Sequence, residues 1–190
     1  MKRFTAVAFG IMVCLFAGCR TTATLPVAQP PEPVTNETAL TLYERGNAYS
    51  QGGHYEDAIQ DFTNAIDLVP GYADAYASRG RALGRMGKPE QAIADFSKAI
   101  SLDPGNANTY ADRGVAYGSM GQHDKAVEDL TQAIALNPNF AAAYYNRAIG
   151  YFIQKKCKEA RSDVRQAQTL GYPKIQPRFI EDLNRNCPEN

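Results

Sequence analysis

Small and bulky apolar residues recur along this chain in blocks that return every 34 residues. The segments LYERGNAY, YASRGRAL, YADRGVAY and YYNRAIGY begin at Leu42, Tyr76, Tyr110 and Tyr144. Four positions into each comes a small residue: Gly46, Gly80, Gly114 and Ala148. Tyr49, Leu83, Tyr117 and Tyr151 follow on the same face of a predicted helix. Glycine inside a helix costs about 1 kcal/mol relative to alanine. Its recurrence therefore needs a packing reason, and close approach of a neighbouring helix supplies one. A second stripe runs through Ala58, Ala92, Ala126 and Ala160, then Phe62, Phe96, Leu130 and Val164, then Ala65, Ala99, Ala133 and Ala167. This spacing predicts a second helix that buries one face against the first.

The punctuation between stripes repeats as well. Gly53, Gly87 and Gly121 mark the turn inside each unit, where a positive φ is easily reached. The fourth unit carries Lys155 there, which leaves its turn less well specified. Pro70, Pro104 and Pro138 close the first three units, because proline cannot continue a helix. The fourth departs with Leu170-Gly171-Tyr172-Pro173 and hands over to a predicted capping helix within 175–187. Arg178, Glu181, Asp182 and Arg185 give that cap the polar outer face a terminal element needs.

A 34-residue period with small residues at fixed offsets resembles the tetratricopeptide repeat, a helical hairpin that stacks into a solenoid. The resemblance implies an all-α, right-handed superhelical solenoid of four hairpins over 38–172 (39–72, 73–106, 107–140 and 141–174), followed by the cap. Arg45, Arg79, Arg113 and Arg147 stand in the first helices. Asp61, Asp95, Asp129 and Asp163 stand sixteen residues later in the second. All four units keep both partners in step, so this ladder reads as one ion pair per hairpin rather than as a charged binding stripe.

The amino terminus has a different texture. Met1-Lys2-Arg3 precedes a mostly apolar run, Phe4–Phe16, too short for a membrane span of about 20 residues. It reads as a secretory signal over 1–18. Leu15-Phe16-Ala17-Gly18-Cys19 resembles the lipobox of bacterial lipoproteins, with Phe16 where leucine is most usual. The resemblance implies cleavage after Gly18 and lipidation of Cys19; a non-lipidated signal cleaved near Ala23 is the alternative. Residue 20 is Arg, not the aspartate that marks inner-membrane retention in such lipoproteins, which favours the outer membrane. Residues 19–37 then read as a Pro- and Thr-rich tether, with Pro26, Pro30, Pro31 and Pro33 favouring extended backbone. The resulting expectation is a periplasm-facing lipoprotein of the bacterial envelope, with a soluble periplasmic protein as the alternative.

In that compartment the remaining pair, Cys157 and Cys187, suits a disulfide stapling the cap; two unpaired thiols are the alternative. Cys157 lies near the start of the second helix of the fourth unit and Cys187 near the end of the cap, and antiparallel stacking brings those two ends together.

The chain has 20 basic and 20 acidic side chains. Removing the signal leaves a net charge of −2, with no concentrated basic face for nucleic acid. His54 and His123 fall at turns, no Cys/His cluster has metal-ligand spacing, and no nucleophile has a placed base. The reading is therefore not an enzyme, with no cofactor, metal or small-molecule substrate. What a solenoid offers is a concave surface lined by first helices. Helical offsets place Tyr43, Asn47 and Ser50 there, then Ala77, Arg81 and Arg85, then Ala111, Val115 and Ser119, then Tyr145, Ile149 and Phe152. Arg81 and Arg85 would make one wall basic, and the last three residues an apolar end. Alternatively, Ile149 and Phe152 support the cap and the arginines are solvated. Some members of the family grip chaperone C-termini with a clamp of lysines and asparagines. Here only Asn47 fits it; Tyr43 stands at the first clamp lysine and Ser78 and Asp112 replace further members, which argues against that ligand. The expected function is a non-catalytic scaffold, held to the membrane through Cys19, that binds a segment of an envelope protein in its groove. A periplasmic holding chaperone or assembly factor is the second expectation.

Overall fold

The computed structural model describes residues 36–187. The expected signal, the lipidation candidate Cys19 and all but the end of the tether lie outside them. Nine helices account for the described residues: α1 (Asn36–Gln51), α2 (Tyr55–Leu68), α3 (Ala73–Arg85), α4 (Pro89–Leu102), α5 (Ala107–Ser119), α6 (His123–Leu136), α7 (Ala141–Ile153), α8 (Cys157–Thr169) and α9 (Pro177–Asn186). The first helix takes up Asn36 and Glu37, two residues that the sequence assigned to the tether. Successive helices pair as hairpins, α1 with α2 through α7 with α8, and each hairpin packs on the next through its second helix. Each of α1, α3 and α5 also approaches the first helix of the following hairpin, while the second helices stay further apart. The first helices therefore line the inner side of the curve.

The recurring spacing of small and large residues is a lock between helices. An added Cβ on Gly46 would stand 2.7 Å from the Phe62 ring, and one on Gly80 2.8 Å from the Phe96 ring. In the third hairpin the partner of Gly114 is Leu130, at 3.0 Å. In the fourth, Val164 takes the bulky position and Ala148 is accommodated beside it in the same buried cluster. The smaller the facing side chain, the more room remains for a Cβ.

The turns inside the hairpins pass through left-handed backbone at Gly53, Gly87 and Gly121. Lys155 adopts the same conformation, with φ at 62°. The fourth turn keeps the shape of the others without the residue that makes it easy.

The arginine–aspartate ladder forms in every hairpin. Arg79 donates Nε and Nη2 to the two carboxylate oxygens of Asp95 at 2.7 and 2.8 Å, and Arg45, Arg113 and Arg147 repeat the geometry with Asp61, Asp129 and Asp163. These hydrogen bonds raise the guanidinium pKa of Arg79, Arg113 and Arg147 above its already high ordinary value. The same arginines lie over aromatic rings of their own helices, Tyr76, Tyr110 and Tyr144, at 5.5–5.8 Å. In the first hairpin Leu42 stands at that position and offers no such face.

At the carboxyl end Cys157 and Cys187 are joined as a disulfide, with Cα atoms 5.3 Å apart. Leu183 of α9 and Cys187 just after it are buried against Ala148, Ala160 and Val164.

Candidate functional site

On the inner surface one cleft stands out, between α3 and α5. It has a volume of about 580 Å³, with Arg81 and Arg85 on one wall and Asp112, Val115 and Ser119 on the other. Its floor includes Gly80, Gly84 and Phe96. Gly84 has open space above its Cα, so no side chain obstructs the cleft there.

Two features of the cleft bear on recognition. Val115 is 49% exposed, a large apolar side chain held in water by the rigid helix beneath it. Arg81 donates Nη1 to the Asp112 carboxylate at 3.2 Å across the cleft and Nη2 to the Ser78 hydroxyl at 2.7 Å. Burial pushes the Asp112 carboxyl above its ordinary range, opposed by the charge and hydrogen bond of Arg81 and the more distant charge of Arg85. Arg85 extends toward solvent beside this pair. The arrangement offers an apolar contact, a cationic head and an exchangeable ion pair at the edge of a shallow trough. These are groups able to make apolar and charge-assisted contacts with a polypeptide segment.

The sequence placed twelve residues in the groove, and the structure divides them by column. Arg81, Arg85, Val115 and Ser119 line the cleft. The column Tyr43, Ala77, Ala111 and Tyr145 does not. Ala77, Ala111 and Tyr145 are buried, and Ala111 packs against Ala143 of the next hairpin. Tyr43 is half-buried against Phe62 and Tyr72. Four residues turn an α-helix slightly past a full revolution, which takes this column from the groove into the seam between hairpins. The apolar end of the groove is likewise filled. The Tyr145 ring packs on Phe179 of α9 and its hydroxyl accepts from the Gln176 backbone N–H at 3.2 Å, while Phe152 also packs on Phe179. These residues support the cap. Asn47, Ser50 and Ile149 remain half-buried on the inner side. Asp112, missed as a groove residue, was legible one helical turn before Val115 on the same face.

Among the described residues no group of His, Cys, Asp and Glu is arranged to hold a metal ion, and no helix is long and apolar enough to cross a membrane.

The tetratricopeptide repeat family matches residues 73–106 and 107–140, and a second description of the TPR repeat matches 46–87. Among solved structures, MamA is 30% identical, with a TM-score of 0.67 over 70% of this chain and 77% of that one. The chain belongs to the tetratricopeptide repeat family. Proteins of this family are generally non-catalytic interaction scaffolds. The first TPR domain of Spaghetti (RPAP3), solved with the HSP90 peptide SRMEEVD, is 27% identical with a TM-score of 0.62, covering 63% of this chain and 98% of that one. The second TPR domain of human RPAP3, solved with the HSP70 peptide SGPTIEEVD, is 29% identical with a TM-score of 0.58, covering 60% and 95%. No curated protein matches the chain by sequence.

Proposed function

We propose that this tetratricopeptide solenoid is an envelope scaffold that binds an extended segment of a partner protein in the cleft between α3 and α5. The observation that carries the reading is Val115, exposed beside Arg81, Arg85 and Asp112 in a cleft of about 580 Å³. The segment it suits has an apolar side chain for Val115 and an acidic group for Arg85. Binding of acidic peptides by the RPAP3 domains supports the mode of recognition. The amino-terminal sequence supports a lipid anchor at Cys19, with a tether that holds the solenoid away from a membrane, the outer membrane of the envelope being its expected site.

A photo-reactive residue at Val115 tests the cleft in cells. The expected result is capture of one or a few partners, reduced by Arg85→Glu. Equal capture of the same proteins from a label at Lys98, on the outer helix α4, would remove the assignment. Replacing Cys19 by serine should release the protein from the membrane fraction; unchanged sedimentation would remove the anchor. A holding chaperone would need broad apolar surface, whereas the exposed large apolar residues are spread over α1, α4, α5, α6 and α7. Suppression of aggregation of unrelated clients would favour that second reading.

A further inference from the structure

The seams between hairpins are built alike, and the seam chemistry changes at the last hairpin alone. Three second helices present a hydroxyl at the same place: Thr63, Ser97 and Thr131. Each receives the Nη1 of the following arginine, Arg79, Arg113 or Arg147, at 3.0–3.1 Å. Each gives its own proton to a backbone carbonyl four residues back, at 2.7 Å. Beside the hydroxyl an apolar residue faces the next hairpin: Ile59, Ile93 or Val127. A small residue of the next first helix completes the contact. Ala82 packs on Ala58 and Phe62, Ala116 on Ala92 and Phe96, and Gly150 lies against Val127.

In α8 both columns change. Arg161 stands where Ile59, Ile93 and Val127 stand, and Arg165 where Thr63, Ser97 and Thr131 stand. Arg161 turns to α9, donating Nε to the Cys187 carbonyl at 2.9 Å and Nη1 to Asn184 Oδ1 at 3.0 Å. Leu183 of α9 covers Ala160 and Val164, as Ala82 covers Ala58 and Phe62 in the first seam. The disulfide fixes α9 in place.

At the opposite end α1 keeps the surface that elsewhere enters a seam. Arg45 donates to Asp61 like its counterparts, but its side chain is 56% exposed where those of Arg79, Arg113 and Arg147 are 20%, 19% and 14%. Ala48, the counterpart of buried Ala82 and Ala116, is exposed. An α8 with an open face and a hydroxyl would be the natural partner of this surface, supplied by a second copy of the chain.

We propose that the two ends are complementary stacking surfaces, and that Arg165 together with the disulfide-pinned α9 keeps copies of this chain from joining head to tail. Arg165 would meet Arg45 of the incoming copy, replacing a hydrogen bond by repulsion between like charges. The pinned α9 excludes the incoming α1 from Ala160 and Val164.

The test is the mass in solution of the mature chain without its lipid, by light scattering. The oxidised wild type is expected to be a monomer. Arg165→Thr with Cys157→Ser and Cys187→Ser is expected to associate with rising concentration, reaching at least twice the monomer mass. Adding Arg45→Ala should return it to monomer. Circular dichroism checks the fold, and if the cysteine variant unfolds, Arg165→Thr with Leu183→Ser and the disulfide intact replaces it, because that change loosens the cover over Ala160 and Val164 while keeping the cross-link. A variant that stays folded and monomeric overturns the proposal. So does association that persists with Arg45→Ala, or head-to-tail association of the oxidised wild type.

Discussion

Arg79 Nη1 donates to the hydroxyl of Thr63 at 3.1 Å, across the seam between the first and second hairpins. The same guanidinium holds Asp95 within its own hairpin. One side chain thus fastens three helices. Its exposure is low enough that water competes poorly for these contacts.

Removing one member of this pair strands a charge that is largely shielded from water. Arg79→Ala or Asp95→Ala should each lower stability by about 3 kcal/mol, and the double variant by less than their sum. The same cycle on Arg45 and Asp61 should show weaker coupling, because Arg45 is the most exposed arginine of the ladder. Urea unfolding of the two cycles makes the comparison, and strictly additive losses would contradict pairing.

Gly80→Ala should destabilise although alanine is the better helix former. The gain in propensity is about 1 kcal/mol, but the new methyl would stand 2.8 Å from the Phe96 ring. Overpacking of this kind costs about 1–3 kcal/mol. Combining it with Phe96→Val, which copies the Ala148 and Val164 pairing of the fourth hairpin, should cost less than the two changes added separately. Thermal melts of the single and double variants measure this.

Lys155→Gly should stabilise the protein by about 1 kcal/mol, because a side chain at positive φ carries a backbone cost that glycine avoids. The reverse substitution, Gly87→Lys, should lose a similar amount. Chemical denaturation of both variants reads the difference.

Asp112 sets a pH dependence. Its folded pKa lies above the ordinary value of 3.8 because of burial. In the pH range from that value up to the raised one, the folded state binds more protons than the unfolded state, so this group's contribution to stability falls as pH rises. Relative to Asp112→Asn, the wild type should therefore lose stability as pH climbs through that window. At neutral pH the variant should also bind an acidic peptide more tightly, because Arg81 loses its competing carboxylate. A loss of affinity would mean that Asp112 itself contacts the ligand.

The disulfide closes a segment with a sequence separation of 30. On chain-entropy grounds, Cys187→Ser should cost about 3.6 kcal/mol. Thiol labelling with and without reductant should show Cys157 reactive only after reduction.

Most of the fold was legible because a repeated sequence states each packing rule several times. Gly46, Gly80 and Gly114 announced tight helix pairing, and Arg79 with Asp95 announced a bond across the hairpin. The groove was less legible. Helical spacing gives an angle on one helix, but Ala77, Ala111 and Tyr145 are covered by neighbouring elements, which that angle does not describe. Phe152 read either as an open aromatic end or as support for the cap, and the choice fell to its cover, Phe179, which lies 27 residues further along the chain. Thr63, Ser97 and Thr131 passed unremarked, although their 34-residue spacing was visible, because a hydroxyl on a helix gains meaning only from what reaches it.

Local periodicity thus determined the helices, their pairing and the order of the hairpins, since those depend on which face of each helix is apolar. The tertiary structure decided which part of the inner surface remains open, because side chains distant in sequence close the rest. It also decided how the ends differ, because α1 leaves Arg45 in water while α9 covers the matching face of α8.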